Sequence, residues 1–143
     1  MGTFTATINK KLTNIGLLLL RLMAGGLMLT HGWQKYQMLV AEDPIQFANP
    51  IGVGEVTTLV LAVFAELICA SLLIIGFVTR LATIPLIITM FVVVFIVHAN
   101  DGLMKQELGI IYLTVFIVLL LTGPGKFSVD GLIPRRKRYI FSK

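Results

Sequence analysis

Charged residues are scarce in this chain of 143 residues. Asp, Glu, Lys and Arg together make up 13% of it, whereas 57% of the residues are hydrophobic. A soluble domain usually carries about a quarter charged residues. A water-exposed globule of this size could not bury so much apolar surface, so lipid is the expected solvent. The composition does not change along the chain, which favours a single domain over residues 1–143.

Cysteine and the common catalytic motifs are also lacking. The one cysteine, Cys69, lies within an apolar run. It cannot form an internal disulfide, and no Cys-x-x-Cys pair is present for thiol exchange. The sequence has no Walker loop, no Rossmann fingerprint and no Ser/His/Asp arrangement. These motifs therefore identify no catalytic residue, and no metal site is predicted from them.

Four long apolar segments are present, at about residues 12–30, 56–77, 81–99 and 108–122. Each approaches the roughly 20 residues that a helix needs to cross the hydrocarbon core. Helices are expected because every backbone donor and acceptor must be paired inside lipid. The predicted fold is therefore an all-α, integral membrane bundle of four transmembrane helices. The link from Trp33 to Glu55 contains Pro44 and Pro50 and is expected to turn.

The net charge of +5 is distributed unevenly around these segments. One set of flanks carries Lys10, Lys11, Arg80, Lys126 and the basic run at residues 135–138, and the other set carries only Lys35 and Lys105. Lysine and arginine near span ends mark the cytoplasmic side. Both termini are therefore predicted to be cytoplasmic. Nucleic acid is not an expected partner, because no soluble body remains to present a basic face.

Two charged residues fall inside the apolar segments. Arg21 and Glu66 are each expected near mid-bilayer, where an isolated charge costs at least about 2.5 to 3.5 kcal/mol. Ala24 and Gly25 share the helix face of Arg21, and small residues let membrane helices approach closely. Spans one and two are therefore predicted to pack together, with Arg21 and Glu66 as a buried ion pair. Such a pair could be purely structural, or it could bind a quinone head group or relay a proton.

A second polar cluster is expected near the outer surface, where spans one and three end. It is formed by His31, Lys35, His98, Asn100 and Glu107. Histidine changes its charge near neutral pH and also ligates metals. Three interpretations stay open: interfacial residues bonded to loop backbone, a site for a quinone head group or proton exchange, and a haem or metal held between the two histidines. Two histidines alone are weak support for a haem.

Several stretches of the chain resemble the DoxX family. The similar stretches are residues 19–22 (LLRL), 31–35 (HGWQK), 65–67 (AEL), 72–82 (LLIIGFVTRLA) and 123–130 (GPGKFSVD). The positions that fit the family pattern are Arg21, His31, Lys35, Glu66, Arg80 and His98. The link between spans one and two departs from it, which puts the family's substrate or partner preference in doubt for this chain.

The resemblance implies a four-helix protein of the bacterial cytoplasmic (inner) membrane. It also implies a membrane subunit that supports quinone-linked redox chemistry, or chemistry related to thiol or oxidative stress, with quinone as the ligand and a soluble redox partner that supplies any cofactor. Formation of a homo-oligomer is a further expectation. Two alternatives remain: a non-enzymatic membrane anchor or assembly factor, and a transporter of a small solute or protons through Glu66.

Overall fold

The computed structural model describes residues 9–133, and these residues contain helices, turns and links but no strand. The helices are α1 (Lys10–Val40), α2 (Glu55–Ile75), α3 (Thr79–Val97), α4 (Leu103–Thr122) and the short turn α5 (Val129–Leu132). The first four are long and apolar enough to cross a membrane, which confirms the predicted fold class. The basic run at residues 135–138 lies outside the described residues.

Helix α1 is longer than the first apolar segment. It begins after Asn9, whose side chain accepts from the Lys11 and Leu12 amides at 3.0 and 3.3 Å. It continues through Trp33, where the sequence predicted a turning link, and ends at Val40. Its 31 residues span about 46 Å at 1.5 Å each, well beyond the roughly 30 Å of hydrocarbon. His31 and Lys35 therefore lie on the helix itself.

The four long helices form a ring in which each packs against its neighbours in sequence, and α4 closes the ring against α1. Leu73, Leu86, Phe116 and Leu119 are completely buried at its centre. Large apolar side chains cover the outside of the bundle on all four helices. In water such a surface would be unfavourable, whereas in a bilayer it is the surface that contacts lipid.

The bundle has two distinct ends. The termini end contains Asn9, the turn at residues 76–78 and residues 123–133, and the loop end contains the link at residues 41–54 and the turn at residues 98–102. At the termini end, the Asn14 side chain accepts from the Lys126 amide at 2.8 Å. The first and last described segments thus lie on the same side of the bundle. That this side is cytoplasmic stays a prediction.

Residues 123–133, which we call the closing segment, fold back over the termini end. The Asp130 carboxylate accepts from the amides of Val78 and Thr79 at 2.7 and 2.8 Å and so caps the start of α3. The Asp130 amide in turn donates to the Gly76 carbonyl at 2.9 Å. Burial raises the pKa of Asp130, but the two amide donors, the Thr79 hydroxyl and the nearby Arg21 outweigh it, and the pKa falls below its usual range.

Candidate functional site

The buried ion pair of this protein joins Lys35 and Glu66. The Lys35 ammonium contacts both carboxylate oxygens of Glu66. Glu66 is 0% exposed, whereas the Lys35 side chain keeps 23% of its surface. A carboxylate this deep in a membrane protein needs a cation beside it, and here α1 supplies that cation to α2.

The predicted ion pair between Arg21 and Glu66 is therefore wrong, although both residues are buried as expected. Arg21 donates instead to three backbone carbonyls: Nη1 to Pro124 at 2.5 Å, and Nη2 to Phe127 at 2.8 Å and Ile74 at 3.3 Å. Ile74 lies at the end of α2 and eight residues after Glu66, which is about 12 Å along the helix axis. The two side chains thus sit at different depths.

Arg21 acts as an anchor for the closing segment. Two of its three acceptors belong to that segment, and Arg21 is 1% exposed. It also packs against Gly76, which has a φ of 75° and where a Cβ would come within 2.9 Å of the guanidinium carbon. The planar fork of arginine suits several carbonyl acceptors at once. Arg21 thus belongs to the termini end and is remote from the cavities described below.

Close contact between α1 and α2 brings Lys35 to Glu66. At Gly32, a Cβ would lie 2.6 Å from the Glu66 carbonyl carbon and 2.7 Å from its oxygen. Both are backbone atoms, so a side chain at this position would force the two helices apart. The predicted packing of α1 against α2 is confirmed, and Gly25 contributes through a similar approach to Ala70.

Gly32→Ala is therefore expected to destabilise the protein by about 2 kcal/mol or more, because overpacking against backbone displaces α2. Gly26→Ala is the matched control, since a Cβ on Gly26, in the same helix, meets nothing within 4 Å. The control should be neutral or slightly stabilising, as alanine favours a helix by about 1 kcal/mol over glycine. Thermal unfolding in detergent measures both; equal midpoints would contradict the close approach.

A polar cavity of about 300 Å³ opens beside the ion pair toward the loop end. Its ionisable and polar lining comprises His31, Lys35, Glu66, His98, Lys105 and Tyr112. The His31 ring stands edge-on to Tyr112, with the ring centres 6.4 Å apart. The apolar part of the wall is formed by Met28, Met90, Val93, Leu108 and Gly109. The cavity therefore offers hydrogen-bond donors and one carboxylate within an otherwise apolar enclosure.

The predicted outer cluster is brought together only in part. His31, Lys35 and His98 line the polar cavity, whereas Asn100 and Glu107 are exposed and do not. The turn before α4 points Asn100 toward solvent, and Glu107 lies on the outward face of α4. Their nearness in sequence to His98 had suggested otherwise.

Two lining residues, Lys105 and Tyr112, were missed as site residues by sequence reasoning. They share one face of α4 with Gly109 and Phe116, at spacings of four, three and four residues. Gly109 is buried, and a Cβ there would meet the Val94 side chain at 2.6 Å. That helical spacing was the signal that could have placed Tyr112 in the cavity.

His98 lies at the rim of the cavity. Its Nδ1 lies 2.8 Å from the Asp101 carboxylate, and Lys105 lies 3.6 Å from the same carboxylate. The hydrogen bond with His98, followed by the charge of Lys105, lowers the pKa of Asp101 below its usual range. The Asp101 carboxylate thus lies between His98 and Lys105 at the rim.

A second cavity, an apolar groove of about 260 Å³, also adjoins the ion pair. It runs between α2 and α3 beneath residues 47–51 of the link. Lys35, Glu66 and Val93 line both the groove and the polar cavity. The ion pair thus stands at the junction of a polar space and an apolar one.

Two π-helical stretches flank this junction. One is Phe64–Cys69 in α2, which contains Glu66, and the other is Val93–Val97 at the end of α3. A π-helical turn is rare, adds a residue to the turn and occurs often at functional sites. Here the two stretches lie against adjoining parts of both cavities. The two stretches therefore favour a functional site around Glu66 over a purely structural contact between helices.

No metal site is evident among residues 9–133, where no three His, Cys, Asp or Glu side chains cluster closely enough to hold an ion. Cys69 is buried in the core and lines neither cavity. The polar cavity offers hydrogen-bonding groups to a ligand, whereas the apolar groove offers hydrocarbon contacts.

Comparison with known proteins agrees with this architecture. The DoxX family profile matches residues 16–99. A Bacillus subtilis protein named "Putative oxidoreductase CatD" is 30% identical over 125 residues, which cover 87% of this chain and 91% of that protein. An uncharacterized protein of Haemophilus influenzae is 35% identical over 78 residues, about half of each chain. No solved structure matches significantly. The profile match, the near full-length similarity and the four membrane-spanning helices establish that the chain belongs to the DoxX family.

Proposed function

We propose that the protein is a membrane subunit that binds the head group of a quinone in the polar cavity and supports its oxidation or reduction. The observation that carries this proposal is the position of the Lys35–Glu66 pair, at the junction of a polar cavity and an apolar groove. Ligand sites are typically apolar enclosures with a few well-placed polar groups. The oxidoreductase name of the Bacillus subtilis relative supports a redox role as well.

The lining residues fit a quinone ring. A quinone presents two carbonyl oxygens, which accept hydrogen bonds, on an apolar ring. Lys35 and the Tyr112 hydroxyl can donate to one of these oxygens, and Met28, Met90 and Val93 can contact the ring faces. Glu66 and His31 provide groups that hold or release a proton beside it. Electrons come from a soluble redox partner in this proposal.

We also propose that the protein lies in the bacterial cytoplasmic membrane with both termini in the cytoplasm. The termini end carries Lys10, Lys11, Arg80 and Lys126, whereas Lys105 and the acidic link residues belong to the loop end. An excess of lysine and arginine marks the cytoplasmic side. In this orientation the polar cavity and His98 face the outer side of the membrane.

Tyr112→Phe tests the head-group site. Loss of the hydroxyl is expected to weaken binding of dimethoxy-methyl-benzoquinone by about fivefold, which corresponds to the free energy of one hydrogen bond. Tyr36→Phe is the matched control, because Tyr36 lies on α1 near the loop end but lines neither cavity. Binding is measured by calorimetry on the protein in nanodiscs. If the unaltered protein binds no quinone, the proposal fails.

A second candidate is a membrane anchor in which the polar residues only hold the helices together. The observation that favours it is that Glu66 already has a cation beside it and Arg21 already has three acceptors. An anchor would show the stability effects described in the Discussion but no quinone binding. The same calorimetric measurement separates the two candidates.

A further inference from the structure

The apolar groove has a chemistry of its own. Its apolar lining includes Ala48, Ile51, Leu61, Ala62, Ile88 and Val92. Of the described residues that line it, the charged ones are Lys35 and Glu66, at its inner end. The two threonines in its wall already use their hydroxyl donors, because Thr58 donates to the Gly54 carbonyl at 2.8 Å and Thr89 to the Pro85 carbonyl at 2.9 Å.

Such a groove is poorly suited to water. A buried water molecule needs two to four polar partners, and the side chains of these walls offer no free hydrogen-bond donor apart from the ion pair. Leu61, Ile88 and Val97 are exposed on the outer surface of the bundle, so the groove opens sideways into the region that lipid covers. The occupant expected from these walls is therefore a hydrocarbon chain that arrives from the bilayer.

The groove and the polar cavity share three lining residues. Lys35, Glu66 and Val93 belong to both, so a chain in the groove ends beside the ion pair, where the polar cavity begins. A single molecule that fills both spaces must carry a polar ring at one end and an apolar chain at the other. A bulk phospholipid tail could fill the groove but would leave the donors of the polar cavity without an acceptor.

We infer that the ligand is a lipid-soluble quinone that enters from the membrane and lays its apolar tail in this groove, with the junction of ring and tail at Lys35 and Glu66. This inference rests on the proposed function, because it specifies the class of quinone and its route. A water-soluble quinone that enters from the loop end would need the polar cavity alone.

Thr89→Phe tests the groove, with Thr114→Phe as its matched control. Both threonines lie in the middle of a span and donate their hydroxyls to the carbonyl four residues earlier, but Thr89 lines the groove and Thr114 is exposed to lipid. The probes are dimethoxy-methyl-benzoquinone and its decyl derivative, titrated onto the full chain in nanodiscs of one fixed lipid composition. Equal unfolding midpoints confirm that both variants fold.

Thr89→Phe is expected to weaken binding of the decyl quinone by about tenfold or more, because the ring of phenylalanine overpacks the groove. Binding of the tail-free quinone should change by less than about twofold, and Thr114→Phe should leave both unchanged. Unchanged decyl-quinone binding in Thr89→Phe would show that the groove holds bulk lipid only, and would overturn the inference while the head-group site stands. Failure of the unaltered protein to bind either quinone would overturn the proposed function itself.

Discussion

Replacing Lys35 with methionine is expected to lower the free energy of unfolding by about 3 to 5 kcal/mol. The change leaves the Glu66 carboxylate completely buried and without the cation that contacts it. Equilibrium unfolding in detergent measures the loss. Lys105→Met is the matched control, because that side chain is 65% exposed and its contact with Asp101 is a surface pair worth about 0 to 1 kcal/mol.

Replacing Glu66 with glutamine should cost less than replacing Lys35. The lysine that remains has 23% of its side-chain surface exposed and can extend toward the membrane interface. The Glu66 carboxylate that remains in Lys35→Met cannot reach the interface in this way. The double variant Lys35→Met, Glu66→Gln should recover much of the lost stability but should not bind quinone. If Lys35→Met unfolds like the unaltered protein, the two side chains are not paired in the membrane.

The second large effect is expected for Arg21→Lys. Hydrogen bonds to charged groups contribute about 1.5 to 3 kcal/mol each, and lysine cannot reach three carbonyls on separate segments as the arginine fork does. A loss of about 3 kcal/mol or more is expected on unfolding in detergent. Because two of the acceptors lie in the closing segment, its amides should also exchange faster with deuterated water.

Arg80→Lys is the control for this prediction. Arg80 is exposed and makes one long hydrogen bond, 3.3 Å to the Leu121 carbonyl. Its replacement should change stability by no more than about 0.5 kcal/mol. The contradicting result concerns the backbone amides of residues 125–132. If they exchange with deuterated water as slowly in Arg21→Lys as in the unaltered protein, Arg21 does not hold the closing segment.

The sequence predicted the fold class because hydropathy reports directly on lipid. The four apolar segments were sufficient to predict four helices. The free-energy cost of a charge in lipid was sufficient to predict that Arg21 and Glu66 are buried. Hydropathy does not report where a helix ends. The residues after Thr30 become polar, yet nothing in them interrupts a helix before the proline at position 44, so α1 continues well past its apolar part.

That extension explains why the predicted partner of Glu66 was wrong. Lys35 was assigned to a loop, so Arg21 remained as the one available cation. On a continuous helix, Lys35 lies fourteen residues after Arg21, close to four whole turns, and therefore on the same face. The acceptors of Arg21 were also out of reach of sequence reasoning, because Pro124 and Phe127 come from a segment that folds back by tertiary contacts.

The candidate site was predicted in outline only. His31 and His98 were assigned to one cluster because both spans end on the same side, and both line the polar cavity. Asn100 and Glu107 were included because they are polar and close to His98 in the sequence. Whether a side chain faces a cavity depends, however, on the direction in which it points from its helix or turn. Neither π-helical stretch has a sequence pattern that would have revealed it.

The partners of α1 have a consequence for how the protein is made. Among the four described spans, α1 is synthesised before the others, and its Arg21 and Lys35 precede all of their partners in the sequence. Glu66 follows Lys35 by 31 residues, and the acceptors Ile74, Pro124 and Phe127 follow Arg21 by 53, 103 and 106 residues. Stable insertion of the nascent α1 therefore depends on segments that leave the ribosome later, and the C-terminal part of the chain completes the environment of its N-terminal helix.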